Sequence, residues 1–364
     1  MSLVKTLQFK PYARLLTMLG DQLIKNERIA LIEVIKNAYD ADASWVKVTF
    51  SGFGEDFELM ANSKIVIEDD GTGMTRDVLE EHWVNPATPI KKLEKSVRDT
   101  TPKGRKIQGE KGIGRFALLK LGRTVSITTR PQYSEAEFTL KFDFSRYDDD
   151  FLSENGEAKT LYLEDLEIDL IIADKPAEID SSAMSLGRRR IRRAPHGTRI
   201  EVSRLRGTWN SEKVERVYTD LIRLQSIFDD ADKDSQGRRR ADVFEVLVYK
   251  DSVYQSYSDE YLEKLKVLIE DNSVFRIENG RYDEAAKEFR FSLNGKSKTL
   301  SLKDPDITGL KIFRDYFGED GEVLDKRGTN CGPFSFGFYV FDFGKNARGK
   351  HALDGEQRAI VKEL

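Results

Sequence analysis

Residues 65–74 read Ile65-Val66-Ile67-Glu68-Asp69-Asp70-Gly71-Thr72-Gly73-Met74. A β-branched run passes straight into two carboxylates and two spaced glycines. Such runs favour strands, and residues 64–68 are the expected strand. Taken alone, the Asp-Gly step that follows is an ordinary turn. A second reading places Asp69 at the end of a buried strand, where its carboxylate accepts a hydrogen bond from an adenine amino group. Gly71 and Gly73 then let the main chain approach the flat base closely.

Upstream, residues 29–43 read IALIEVIKNAYDADA. Leu31, Ile32, Val34, Ile35 and Ala38 make most of this helix apolar, and residues 27–43 are its expected span. Glu33, Asn37 and Asp40 fall at i, i+4 and i+7 and share one stripe. The stripe either faces water or lines a polar cavity. In the second case Glu33 is a candidate base and the Asn37 amide oxygen a candidate metal ligand. The strand expected next covers residues 45–50.

Downstream, Gly109-Glu110-Lys111-Gly112-Ile113-Gly114-Arg115-Phe116 opens a helix running to Leu121. Glycines before a helix N-terminus make a phosphate cradle, since free N–H groups and the helix dipole both face an anion. The spacing reverses the dinucleotide fingerprint. It also lacks the Lys-Ser/Thr pair of a Walker A loop. Last comes His196-Gly197-Thr198-Arg199-Ile200-Glu201-Val202. Thr198 at a strand start can hold a water that bridges to a base.

The order and spacing of these four elements resemble the GHKL superfamily of gyrase, heat-shock chaperone, histidine-kinase and MutL ATPases. Glu33, Asn37, Asp40 and Ala41 match its N box. Asp69 to Met74, with Gly71 and Gly73, match its first glycine box. Gly109, Lys111, Gly112, Ile113 and Gly114 lie in the second, and Gly197-Thr198 form the third. The resemblance implies a Bergerat ATP-binding fold of class α+β, a two-layer α/β sandwich over residues 1–205. It implies ATP and magnesium as ligands and hydrolysis as the reaction. It assigns Glu33 as general base, Asn37 as magnesium ligand, Asp69 as adenine acceptor and Thr198 as a water-mediated helper. Met74 and Phe116 would pack near the base or ribose. Residues 75–108 would be a short helix and then an ATP lid, whose Lys91, Lys92 and Lys95, with Lys111, are candidate phosphate contacts. The superfamily often has asparagine after the adenine-binding aspartate. Asp70 stands there instead, and a second carboxylate would repel phosphates unless turned to metal or solvent.

A phospho-acceptor histidine on an upstream dimerisation helix marks the kinase branch. Eleven residues precede the first expected helix, and the histidines are His82, His196 and His351, so a histidine-kinase catalytic domain is the weaker alternative. Leu16 to Leu23 and Lys120-Leu121-Gly122 look most like prokaryotic MORC-like and chaperone-like ATPases. These place an α/β transducer domain next, here residues 206–364, with Lys345 and Lys350 as candidate γ-phosphate contacts. ATP-dependent homodimerisation is the implied partner chemistry, with a protein client or DNA beyond it.

The 364 residues suit two domains, with 39% hydrophobic and 34% charged residues and a net charge of −4. That balance lacks the strong basicity of many nucleic-acid binders. The Arg188–Arg193 run and Arg238-Arg239-Arg240 keep a DNA-acting module open as an alternative. Residues 145–196 read as irregular at both ends. Cys331 is the single cysteine. It allows no internal disulfide and fits a reducing cytoplasm. No apolar run approaches the ~20 residues of a membrane span. The end at Leu364, without an obvious terminal cap, reads as the front part of a longer protein.

Overall fold

The structure, a computed structural model, describes residues 8–85, 100–105, 107, 114–147, 162–222, 244–255, 257–283, 285–311, 335–344 and 351–363. The chain divides into two compact units, Met1–Glu260 and Tyr261–Leu364.

The first unit is a helical layer on one face of an eight-stranded sheet. Its strands are β1 (Trp45–Ser51), β2 (Lys64–Asp69), β3 (Gly122–Arg130), β4 (Glu137–Asp143), β5 (Asp169–Ala173), β8 (Gly197–Leu205), β9 (Glu245–Lys250) and β10 (Val253–Tyr254). They run in the order β10-β9-β1-β2-β8-β3-β4-β5. Among the described residues, only β1 and β9 pair in parallel. The alternation read from sequence sets the two faces. Across the inner face lie the rows Val48–Ile67–Ile200–Ile127–Leu140 and Phe50–Ile65–Val202–Val125–Phe142. Above them the next row is Val46–Asp69–Thr198–Thr129–Phe138. The apolar rows hold the helices, and the polar positions in the top row belong to the site.

The outer face is charged, with Lys47–Glu68 at 3.8 Å, Arg199–Glu201 at 3.2 Å and Lys64–Glu201 at 3.1 Å. Residues 183–192 form a hairpin here, β6 (Ala183–Leu186) and β7 (Arg189–Arg192). Leu186, Met184 and Ile191 pack on Trp45, Leu247, Tyr249 and Tyr254. This segment, irregular by sequence, is ordered by that apolar patch, because three large side chains on short strands gain enough burial only against a partner.

The helices of this unit are α1 (Arg14–Leu23), α2 (Glu27–Asp40), α3 (Gly114–Leu121) and α4 (Ser211–Ile222). Asn26 caps α2 by accepting from the Ile29 N–H at 3.0 Å. Ala30, Leu31, Val34, Ile35 and Ala38 form its buried face. The helix stops at Asp40, and Asp42 follows in the left-handed region with φ 57°. Helix α4 is tied to α2 by Lys213–Glu27 at 2.6 Å and Arg28–Asp220 at 3.1 Å. Helix α4 and strands β9 and β10 therefore belong to the first unit, with β9 beside β1 in its sheet.

The second unit begins within α5 (Tyr257–Asn272). It carries a four-stranded antiparallel sheet of β11 (Ser273–Asp283), β12 (Glu288–Leu293), β13 (Lys296–Ser301) and β14 (Ser335–Phe341), ordered β13-β12-β11-β14. A helical turn, α6 (Pro305–Thr308), and α7 (Gly355–Glu363) complete the elements described here. Cys331, Lys345 and Lys350 lie outside the described residues.

Phe50 is fully buried and meets Phe53, Phe57 and Trp209 at ring-centroid distances of 5.4 Å. Phe50→Ala is expected to lower the unfolding free energy by about 3–5 kcal/mol, read from urea denaturation followed by tryptophan fluorescence.

Candidate functional site

A cavity of about 450 Å³ opens between α2, α3 and the upper end of the sheet. Strand β2 ends in it with Asp69, which is 6% exposed. The Asp69 Oδ1 accepts from the Gly71 N–H at 2.9 Å and the Thr198 N–H at 3.2 Å. Both bonds use Oδ1, which leaves Oδ2 as the acceptor for a ligand. Burial pushes this carboxyl up from 3.8 to about 7. The Gly71 N–H opposes that rise, Asp70 adds to it, and the Thr198 N–H and Arg193 oppose it in turn.

The turn around Asp69 is held open by glycines at two points. Gly197 has φ 130°, and a Cβ there would collide with the Asp69 carbonyl. Gly73 has φ 69°, and its Cβ would strike the Arg130 carbonyl. The loop is stitched by Thr72 N–H to Ala41 O at 2.9 Å and by His196 Nδ1, which donates to Gly71 O at 2.7 Å. Thr129 extends the polar row. Its hydroxyl accepts from the Met74 N–H at 2.9 Å and lies 3.2 Å from the Thr198 hydroxyl. Sequence reasoning missed Thr129 and His196, because their roles depend on strand pairing and on a loop contact.

Asn37 and Asp40 of α2, with Ala41 just beyond its end, line the cavity together with Asp69, Gly73, Met74, Gly114 and Thr198. The polar stripe of the helix thus turns inward at these positions. A Cβ on Gly114 would lie 3.0 Å from the Asn37 Nδ2. Glycine there lets the start of α3 rest directly against the amide. Glu33 lies one turn earlier on α2, half-exposed, with its carboxylate 2.9 Å from Lys36 Nζ. It is not among the cavity walls. Phe116, expected near the base or ribose, is buried but lines no part of the cavity. Gly114 and Leu118 face the cavity, and residue 116 lies about 200° round the helix from each of them. Gly109, Lys111, Gly112 and Ile113 lie outside the described residues, as do Lys91, Lys92 and Lys95.

Asp70 is half-buried and turned to the start of β1. Its Oδ1 accepts from the Ser44 N–H at 2.7 Å and the Trp45 N–H at 3.1 Å, and its Oδ2 accepts from the Ser44 hydroxyl. The second carboxylate caps the start of β1 and is spent on structure. The opposite wall of the cavity includes Val78, His82 and Trp83 from a π-helical segment, Val78–Trp83. Trp83 lies 5.3 Å from the Phe142 ring. No motif in the sequence marks these three. π-Helical turns cluster at functional sites.

The arginine run is largely committed internally. Arg189 pairs with Glu245, Arg192 Nε donates to Ser181 O at 3.0 Å, and Arg193 Nη1 lies 3.2 Å from Glu68. Arg238, Arg239 and Arg240 lie outside the described residues.

The donor set fits a magnesium nucleotide. Among the described residues no group of three His, Cys, Asp or Glu could hold a metal ion. A lone amide oxygen suits magnesium, which keeps several waters and leans on substrate phosphates. The close approach at Gly114 and the spare Asp69 oxygen suit phosphate and base, respectively.

Residues 25–169 match the family model described as Histidine kinase-, DNA gyrase B-, and HSP90-like ATPase. The fold, a large mixed sheet packed against helices, is consistent with the α/β sandwich of such ATPase domains. The match includes residues 33–41, 69–74 and 109–114 and ends before Gly197-Thr198. A domain of this type implies ATP binding, with ATPase- or kinase-type activity. No curated protein matches the chain. Among the described residues, no helix is long and apolar enough to cross a membrane.

The raised Asp69 pKa gives a signed prediction. The folded state holds this proton more tightly than the unfolded chain, so stability falls as pH rises from about 4 to about 7 and is then level. Asp69→Asn keeps the Oδ1 acceptor and cannot ionise. At pH 8 it is expected to be more stable than the parent by up to about 4 kcal/mol, the gap closing toward pH 4. The same variant should lose adenine-nucleotide affinity, since an amide N–H₂ would face the amino group. Denaturation at both pH values and nucleotide titration at pH 8 check both signs.

Proposed function

We propose that the chain is a magnesium-dependent ATP hydrolase whose ATP cycle drives a chaperone-like or MORC/MutL-like machine. The reading is carried by one observation: Asn37, Asp69, Gly114 and Thr198, from four separate segments, converge on one cavity. Asp69 accepts from the adenine amino group through Oδ2, Thr198 assists through a water, and Met74 packs beside the base. Gly109, Lys111, Gly112, Ile113 and Gly114 form the loop that receives the phosphates. Asn37 holds magnesium, which offsets phosphate charge. Glu33 orients the attacking water and takes its proton, a task suited to a half-exposed carboxylate one turn from Asn37. Its carboxylate is held toward Lys36 Nζ, 2.9 Å away.

Residues 75–108 act as the lid over bound nucleotide, and the second unit acts as the transducer-like element. Closure favours pairing of two ATPase domains, and hydrolysis reverses it. Nucleotide shifts this equilibrium only by its differential affinity for the closed, paired state. The commitment of Arg189, Arg192 and Arg193 to internal partners favours this reading over a DNA-acting module.

Glu33→Gln is expected to bind MgATP as the parent does while phosphate release drops by at least about 100-fold, the usual share of a general base. Unchanged turnover would remove Glu33 from the mechanism. Sedimentation with a non-hydrolysable ATP analogue should show a doubling of mass. An unchanged mass would sink the pairing step while leaving hydrolysis untouched.

A further inference from the structure

One buried hydroxyl joins the turn after β2 to the start of β8. Asp69, Thr198 and Thr129 stand side by side across β2, β8 and β3. Asp69 and Thr198 line the cavity; Thr129 is fully buried and is not among its walls. The Thr129 oxygen accepts from the Met74 N–H at 2.9 Å. Its one proton has two acceptors at 3.2 Å, the Gly197 carbonyl and the Thr198 hydroxyl. A hydroxyl offers one donor and two acceptor sites. When Thr129 donates to Thr198, Thr198 keeps its own proton for the cavity. When Thr129 donates to Gly197, Thr198 can donate back to Thr129 and shows the cavity lone pairs only. The bonding of Thr129 thus decides whether the cavity meets a donor or an acceptor at Thr198.

That choice matters beside Asp69. A carboxylate acceptor alone suits either purine, since adenine carries an amino group at C6 and guanine one at C2. The neighbouring ring nitrogen differs: N1 is an acceptor in adenine and carries a proton in guanine. A water that accepts from the Thr198 hydroxyl has both protons left to give, which suits adenine N1 and opposes the guanine N1–H. The Met74 side of the joint stays in place without Thr129. Gln132 N–H donates to Thr72 O at 2.8 Å, and Gly73 is packed against the Arg130 carbonyl. Both are main-chain contacts, so a change at the Thr129 hydroxyl leaves the turn docked on β3.

We propose that Thr129 is a positioning residue for base selection: it donates to the Thr198 hydroxyl and turns the Thr198 proton toward the base. This rests on the reading that Asp69 and Thr198 hold adenine. Thr129 touches no ligand and acts through Thr198. Its loss should weaken adenine nucleotides and spare guanine nucleotides, whose triphosphate is the same.

The test is calorimetric titration of the full chain with MgATP and, separately, with MgGTP. Thr129→Val, nearly the same shape without the hydroxyl, should weaken MgATP by about five- to tenfold, the size of one neutral hydrogen bond, and change MgGTP by less than about threefold. Thr129→Ser restores the hydroxyl and should return MgATP to within about threefold of the parent. Should Thr129→Val fail to fold, Thr129→Cys, whose thiol is only a weak donor and acceptor, carries the same split. Equal weakening of both nucleotides, or unchanged MgATP affinity in a folded variant, overturns the proposal. A parent chain that binds MgATP no better than MgGTP would instead overturn the adenine reading beneath it.

Discussion

The molecule is organised around a carboxylate that burial disfavours. Asp69 ends a strand in a wall otherwise made of Ile67, Ile200 and Ile127. Two backbone N–H groups meet one of its oxygens, that of Gly71 in the turn after β2 and that of Thr198 at the start of β8. Holding those N–H groups in place requires the chain to turn within two residues after β2 and to approach the start of β8 closely. Gly197 is needed there because the two backbones nearly touch. The glycines, the register of β8 and the contacts of Thr198 and Thr129 thus all serve one costly group. In the proposed function that cost has a use, since a half-satisfied acceptor in a dry wall discriminates among bases better than a solvated one.

Helix α2 does the complementary work at the other end of the cavity. Its buried face anchors it to the unit through Leu31, Val34 and Ile35. Its polar stripe supplies Asn37 and Asp40 to the cavity and Glu33 one turn beyond. Since one rigid rod carries all three, their spacing along the nucleotide is set by helix geometry rather than by loops. In the proposed function the sheet and the rod divide the task, with base selection on the sheet and phosphate chemistry on the rod.

The sequence made the local parts legible wherever a short-range rule governs them. The strand into Asp69-Asp70-Gly71 and the apolar face of α2 each announce themselves by composition and period. It did not make legible what depends on distant pairing. Asp70 looked like a liability beside phosphates, yet it caps β1 through Ser44 and Trp45, a contact across 25 residues or more. Thr129 gained its role only from facing Thr198 across a strand pair. Phe116 shows the converse failure. Proximity to the glycine loop suggested a contact, but helical phase carried the ring to the other side. The hairpin at residues 183–192 was hidden because its arginines mask the three apolar side chains that dock it.

The parallel pairing of β1 with β9 joins Trp45 to Glu245 and Phe50 to Lys250. These partners are separated by about 200 residues, which a ribosome adding ~5–20 residues per second takes roughly 10–40 s to bridge. Through that interval the β1 edge has no neighbour on that side, and an exposed apolar edge is a template for unwanted pairing. The unit cannot close its sheet until Lys250 has emerged. Closure of this sheet edge is therefore a late event in the synthesis of the first unit.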